Sequence, residues 1–291
     1  MTIAVTGATG HLGRLVVEAL LDKGTPAGEI VALVRTPAKA TDLADKGVDV
    51  RQADYSDRDT LDKAVSGVDK LLLVSGSDLG QRVVQHGNVI DAAKLAGVGF
   101  IAYTSILDAQ KSPLGLAAEH RATEDVIAQS GIDFALLRNG WYWENYLSSV
   151  ATARETGALF GSAGNGIIAG AARKDYAEAA AAVLLADGQA GAVYELGGDE
   201  RLTYGQLAEA FSAAVGSPVS YKDLPQSEYA ALLEGAGLPA PVAQMLADSD
   251  AGIATGALDT QSGDLHKLIG RNSTPVATVL AVSASQPRVV N

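Results

Sequence analysis

The chain has 291 residues with 47% hydrophobic and 19% charged positions, which is enough to bury a large core and excludes a disordered chain. It contains no cysteine, so disulfides, thiolate metal ligands and a cysteine nucleophile are excluded, and any redox chemistry has to come from a bound cofactor. A net charge of −12 opposes binding to a nucleic-acid backbone. Taken in chain order, short apolar runs at 3–6, 30–34, 48–52, 70–74, 100–104 and 134–138 predict six buried strands of one open sheet. Helical patterns at 12–23, 38–46, 57–65, 80–96 and 114–129 lie between them. Gly24, Gly47, Gly97 and Gly131 follow four of these helices, as left-handed C-terminal caps would. This alternation is the pattern of a doubly wound parallel α/β sheet of the Rossmann type.

Beyond Arg138 the rhythm changes to Gly-rich loops, a helix from Tyr176, a short strand at 193–196 and a mainly helical remainder. The expected organisation is a cofactor-binding domain over 1–150, with sheet contributions from 175–200, and a smaller capping domain over 151–291. Thr203 and Gln206 have capping-box spacing, and Pro239 and Pro241 mark a connection between two helices. Asp175 reads as a helix N-cap, and the polar stretch 283–291 as a frayed end. The start of the chain reads as a strand and turn and not as a signal peptide. The longest apolar helix candidate, 177–186, is far shorter than the ~20 residues that span a bilayer, so a soluble cytoplasmic protein is expected. Nothing in the residues sets an oligomeric state.

The clearest motif is Gly7-Ala8-Thr9-Gly10-His11-Leu12-Gly13, between the first strand and the first helix. Gly7 allows a sharp turn, Gly10 leaves room for a diphosphate to approach the backbone, and Gly13 lets the helix pack close to the strand. Free N–H groups and the helix dipole then stabilise the anion without a cationic side chain. Where NAD-specific proteins place an acidic residue at the end of the second strand, this chain has Arg35, with Lys39 one helical turn later. Two cations there suit a 2′-phosphate, so the expected cofactor is NADP(H). Asp54 and Tyr55, just past the third strand, would then lie near the adenine, or simply form a strand-end turn.

The segments GATGHLG, QADYSD, IAYTS and LLRNGWYWENY resemble those of the NmrA-like atypical short-chain dehydrogenases. With SPLGLAAEHRATED, VYELGGD and LPAPVAQMLADSDAG, the likeness extends from Thr2 to about Pro275 and is strongest to the bacterial type 2 NAD(P)H:quinone oxidoreductases, with triphenylmethane reductases near by. After Pro275 the chain departs from the usual helical end. The resemblance implies hydride transfer from NADPH to a quinone in a cleft closed by the carboxyl-terminal domain. It implies that Ser75, Gly76 and Ser77, and also Tyr103, Thr104 and Ser105, pass near the ribose and nicotinamide. It implies further that the segment from Asn139 through Gly140 and Trp141 to Asn145 frames the nicotinamide.

The residues themselves favour such an acceptor. No tyrosine has a lysine four positions later, so the usual acid–base pair for carbonyl and alcohol substrates is missing. His120 and Glu124, at i and i+4, form an alternative pair or a solvated helix surface. A quinone needs less: orientation, exclusion of water and a hydrogen bond to the developing oxyanion. Trp141, Tyr142, Trp143 and Tyr146 cluster with Asn139 and Asn145 in a chain that has only two tryptophans, and the cluster is either an acceptor cleft or a satellite core. Asn145 is the expected oxygen donor, with Tyr142 beside the ring. The four histidines show no metal-ligand spacing, and no metal is expected. The absence of a G-x-S-x-G elbow argues against a hydrolase. A nucleotide sensor without turnover, a triphenylmethane or azo dye reductase and, more weakly, a nucleotide-sugar epimerase are the competing readings.

Overall fold

The computed structural model describes residues 1–284. Its first half runs β1 (Ile3–Thr6), α1 (His11–Asp22), β2 (Ile30–Val34), α2 (Thr41–Asp45), β3 (Asp49–Gln52), α3 (Arg58–Ala64), β4 (Lys70–Leu73), α4 (Arg82–Ala96), β5 (Phe100–Ile106), α5 (Ala117–Ser130) and β6 (Asp133–Asn139). The second half runs α6 (Ser149–Thr156), β7 (Ala158–Gly161), β8 (Ile167–Ile168), α7 (Arg173–Leu185), β9 (Ala192–Leu196), β10 (Leu202–Thr203), α8 (Tyr204–Val215), β11 (Ser220–Asp223), α9 (Gln226–Gly235), α10 (Ala240–Ala254), α11 (Asp264–Ile269) and α12 (Val276–Ala284).

All six expected strands form, although β3 lies at the edge with Asp49 and Gln52 exposed and is not buried as expected, and β9 joins them to make a seven-stranded sheet in the order β3-β2-β1-β4-β5-β6-β9. Every pairing in it is parallel, from Val31 opposite Asp49 at one edge to Ala135 opposite Ala192 at the other. A parallel sheet must be covered on both faces, and alternate residues of β1 show how: Ile3 and Val5 pack with α1 and α7, whereas Ala4 packs with α3 and α4. Because β2 and β4 flank β1, chain direction across the sheet reverses there, which opens a crevice at the carboxyl end of β1 where the Gly7 turn stands.

Gly24, Gly47, Gly97 and Gly131 all take positive φ, as caps require. Thr203 and Gln206 close their capping box on α8. Asp175 is not an N-cap: α7 starts two residues earlier, with Ala172 as its cap, and the fully buried Asp175 carboxylate accepts from Thr274 N and Oγ1 and from an Arg271 guanidinium N. It ties α7 to the chain ahead of α12. That last helix continues the packed structure beyond Pro275, so the expected departure from a helical end is not seen in the described residues, while the remainder of the predicted frayed stretch lies outside them. A separate apolar core, built around Trp143, Tyr204, Phe211 and Ile253, holds the carboxyl-terminal elements together. Among the described residues no helix is long and apolar enough to cross a membrane.

Candidate active site

The crevice is a cleft of about 760 Å³ lined at one end by Gly7, Thr9, Gly10, His11, Leu12 and Gly13. Gly7 has φ +58°, a conformation that side-chain-bearing residues rarely adopt, and its carbonyl accepts from Gly10 N at 2.8 Å. A Cβ on Gly13 would stand 2.4 Å from the Gly7 carbonyl oxygen and 3.0 Å from that of Thr6, so only glycine lets α1 start this close to β1. Gly10 is the N-cap, with no side-chain cap and no acidic residue in the first turn. The positive end of α1 is therefore left to a bound anion.

Arg35 and Lys39 are exposed beside this turn, line the cleft and have no ion-pair partner among the described residues. Sequence reasoning missed how their loop is held. The Arg14 guanidinium pairs with Asp42 and donates to the Lys39 carbonyl at 3.2 Å, and its hydrogen bond keeps the Asp42 carboxyl below the usual carboxylate range. Asp54 and Tyr55 line the opposite wall. The Tyr55 hydroxyl lies between Thr6 Oγ1 and the Val74 carbonyl, and burial raises its pKa, so it is a neutral strut across the ends of β1 and β4.

Farther along, Ser75, Gly76, Ser77 and Asp78 form the wall after β4. Of the three residues expected from β5, Thr104 supports this wall from behind, its Oγ1 accepting from Ser75 N at 2.8 Å. Tyr103 and Ser105 are buried and directed away from it: the Tyr103 hydroxyl meets His120 Nδ1 at 2.8 Å, and Ser105 Oγ donates to Glu124 at 2.6 Å.

His120 and Glu124 do not lie on a solvated helix surface, since both are buried and each is bonded to other groups. Burial and then the nearby Arg82 push the His120 pKa down to about 3, so it is neutral. Burial alone would raise the Glu124 pKa, but hydrogen bonds from Arg138, Ser105 and Gln110 outweigh it and leave the carboxyl ionised below its ordinary range. Arg138 also reaches Glu195 on β9, which makes a buried ionic cross-brace between α5, β6 and β9 with no face on the cleft.

The aromatic segment divides. Trp143 and Tyr146 are buried in the carboxyl-terminal core, and Trp141 packs beside them, so for these three the satellite-core alternative holds. Tyr142 alone of the four lines the cleft, with Asn139 Nδ2 donating to its hydroxyl at 3.3 Å. Gly140 donates to the Leu196 carbonyl at 2.8 Å and would have a Cβ within 3.0 Å of the Tyr176 hydroxyl. The far end of the cleft carries a cation that sequence reasoning missed. Arg173, the first residue of α7, lines the cleft with its guanidinium 5.1 Å from the Tyr142 ring centroid, and it donates to Asn145 Oδ1 at 2.9 Å. Asn145 itself stands behind Arg173 and outside the cleft wall. Both carboxylate oxygens of Glu144 accept from Arg173 N, which caps α7 and fixes the start of the helix. Among the described residues no three His, Asp or Glu side chains are grouped as around a metal ion.

The parallel sheet, the glycine turn at its topological switch and the open crevice above it define a Rossmann-type α/β protein. The chain belongs to the NmrA-like family, whose family model matches residues 1–260. It is 54% identical over 275 residues to quinone oxidoreductase 2 of Escherichia coli strain K12, covering 94% of this chain and 96% of that one. The crystal structure of the NADPH-dependent quinone oxidoreductase from Escherichia coli, complexed with NADPH, superposes with a TM-score of 0.94 at 53% identity over 97% of this chain and 99% of that one. The NADP(H) complex of Citrobacter sp. triphenylmethane reductase superposes with a TM-score of 0.92 at 40% identity, over 97% of this chain and all (100%) of that one.

Proposed function

We propose that this chain is an NADPH-dependent oxidoreductase that passes a hydride to a quinone. The observation that carries the reading is one continuous cleft, with an uncapped helix end and two unpaired cations at one extremity and the Tyr142–Arg173 pair at the other. The cofactor fits the residues present: Gly10 keeps the backbone bare where a diphosphate would lie, and Arg35 and Lys39 offer charge to a 2′-phosphate. When bound, NADPH supplies the hydride. Residues 1–150 together with the sheet contribution of 175–200 form the cofactor-binding part and residues 151–291 the smaller capping part, and Tyr142 of the first meets Arg173 of the second on the acceptor side.

On the acceptor side, Tyr142 lines the cleft with its ring held between Arg173 and Tyr176, and a planar quinone would pack beside it. Arg173 is held in the wall by the Tyr142 ring and by Asn145, and it donates to the quinone oxygen on which negative charge develops. Hydride arrival converts the quinone to a hydroquinone anion, and water supplies the proton that completes the hydroquinone. No strong general acid is required, in keeping with a neutral, buried His120 and a Glu124 that is locked in an ion pair with Arg138. Asn145 then acts by orienting Arg173. The acceptor is a small planar aromatic molecule, no nucleic-acid partner is involved, and the activity is cytoplasmic.

The likeness to triphenylmethane reductase favours a second reading, in which the same cleft reduces a cationic dye. Arg173 argues for the quinone, because a guanidinium attracts a developing oxyanion and repels a carbocation. Steady-state NADPH consumption with a panel of benzoquinones, triphenylmethane dyes and azo dyes tests this. The proposal expects turnover with the quinones exceeding that with either dye class. Dye turnover in excess would establish the second reading, and cofactor binding without any turnover would establish a sensor.

A further inference from the structure

The wall formed by Ser75, Gly76 and Ser77 is held by side chains that never reach the cleft. Gly76 N donates to His86 Nε2 at 2.9 Å, and the Gly76 carbonyl accepts from Arg82 Nε at 2.7 Å. The backbone N–H and C=O of Gly76, which belong to two consecutive peptide units, are thus both gripped from α4, where Arg82 and His86 stand at i and i+4 on the same helix face. Arg82 is itself fixed by Glu119 on α5 at 2.9 Å, and the other oxygen of that carboxylate accepts from Gly80 N at 3.0 Å, where the loop ends.

The hydrogen-bond chain also assigns the imidazole tautomer. Because an amide N–H points at Nε2, that nitrogen carries no proton, and Nδ1 donates to Thr123 Oγ1 at 3.0 Å. The Thr123 hydroxyl in turn donates to the Glu119 carbonyl at 2.9 Å. Each donor in the series has one acceptor, and His86 is completely buried. Burial, and after it the charge of Arg82, push the pKa of His86 down to about 3, so the ring keeps this neutral form at physiological pH. A protonated ring would direct a second N–H at the Gly76 amide and release the loop.

We propose that His86 is a positioning residue for cofactor binding: its neutral Nδ1–H tautomer holds the Gly76 backbone N–H, so that the wall facing the ribose and nicotinamide is set before NADPH arrives. The inference rests on the proposed NADPH-binding function of the cleft. A loop already ordered in the free protein has no ordering cost to meet on binding.

The test compares His86→Phe with His86→Gln in the full chain. Phenylalanine keeps the ring and removes the acceptor, whereas glutamine can place Oε1 where Nε2 stands and recover the Gly76 contact. Titration calorimetry with NADPH is expected to show a Kd about tenfold higher for the phenylalanine variant and a return to within about threefold of wild type for the glutamine variant. The KM for NADPH should follow these changes while kcat at saturating cofactor stays within about twofold. Equal losses in both variants, or wild-type affinity in the phenylalanine variant, would overturn the proposal. Should the phenylalanine variant fail to fold, two measurements on the wild-type chain decide: the Gly76 amide is expected to be protected from hydrogen exchange, and the His86 nitrogens to show the Nδ1–H tautomer without titrating between pH 5 and 8. Free exchange, or the other tautomer, would overturn it. A wild-type chain that binds no NADPH would remove the functional reading as well, whereas one that binds NADPH but fails these comparisons removes only this inference.

Discussion

Arg173 shows how much of a site can escape a local motif. Arg35 announces itself, because a cation stands where an acidic strand end is usual, close in sequence to a glycine turn. Arg173 opens an Ala-rich helix, where a cation looks like ordinary solvation, and only the packing of α7 beside α1 brings it to the cleft. Asn145 was expected to touch the acceptor, but its amide oxygen is engaged by Arg173. That geometry yields a definite expectation for Asn145→Ala. Freed from this anchor, Arg173 should position the acceptor less well, lowering kcat with a benzoquinone about tenfold while NADPH affinity changes by less than threefold. Parallel losses in kcat and NADPH affinity would place Asn145 in the cofactor site instead. Tyr103 and Ser105 were beyond sequence reasoning for a related reason: a strand's alternation says that neighbouring side chains take opposite faces, but not which partners wait behind the sheet.

Among the elements, the regular periods were the legible part. Each of the first six strands formed near its expected place, but β3 (Asp49–Gln52) is a polar, partly exposed edge strand and not a buried apolar run, and β5 and β6 extend farther, pairing with each other over seven residues. The helix α4 was legible in outline only, since Arg82, Gln85 and His86 lie on its buried face and polar residues ordinarily mark the outer one. The junction of β1 and α1 allows the sharpest test at this scale. Gly13→Ala would press a methyl group against the Gly7 carbonyl at 2.4 Å, and backbone on both sides leaves nothing flexible to give way. The chain should lose about 1–3 kcal/mol of stability as α1 moves off β1, and NADPH binding should weaken by at least tenfold. A variant with unchanged Tm and affinity would mean that the helix end is not held by this contact.

For the whole molecule, the loss of period after Arg138 and the sheet contribution expected from 175–200 could be read in the sequence, whereas the packing of α7 against α1 could not. The helix α7 and strand β9 come from the second half and complete the core and sheet of the first. The second core contains its own buried acid. Asp250 on α10 accepts from the Tyr204 hydroxyl at 2.6 Å and from Ser162 N at 3.0 Å, and burial raises its pKa from 3.8 to about 6 despite these hydrogen bonds. Since the folded protein holds this proton more tightly than the unfolded chain, the contribution of Asp250 is fully present below about pH 4 and is lost as pH rises through 6, a change of roughly 3 kcal/mol. Accordingly, the Tm of Asp250→Asn relative to wild type should rise between pH 5 and pH 7. A difference that does not vary with pH would contradict the assignment.

Recognition of NADPH by the phosphate-binding turn with help from Arg35 is measured by titration calorimetry with NADPH and NADH, on wild type and on Arg35→Ala. The wild-type chain should bind NADPH at least tenfold more tightly than NADH, and Arg35→Ala should remove most of that difference while leaving NADH affinity nearly unchanged. No heat with either nucleotide, or a preference for NADPH that survives the loss of Arg35, would contradict this mode of cofactor binding.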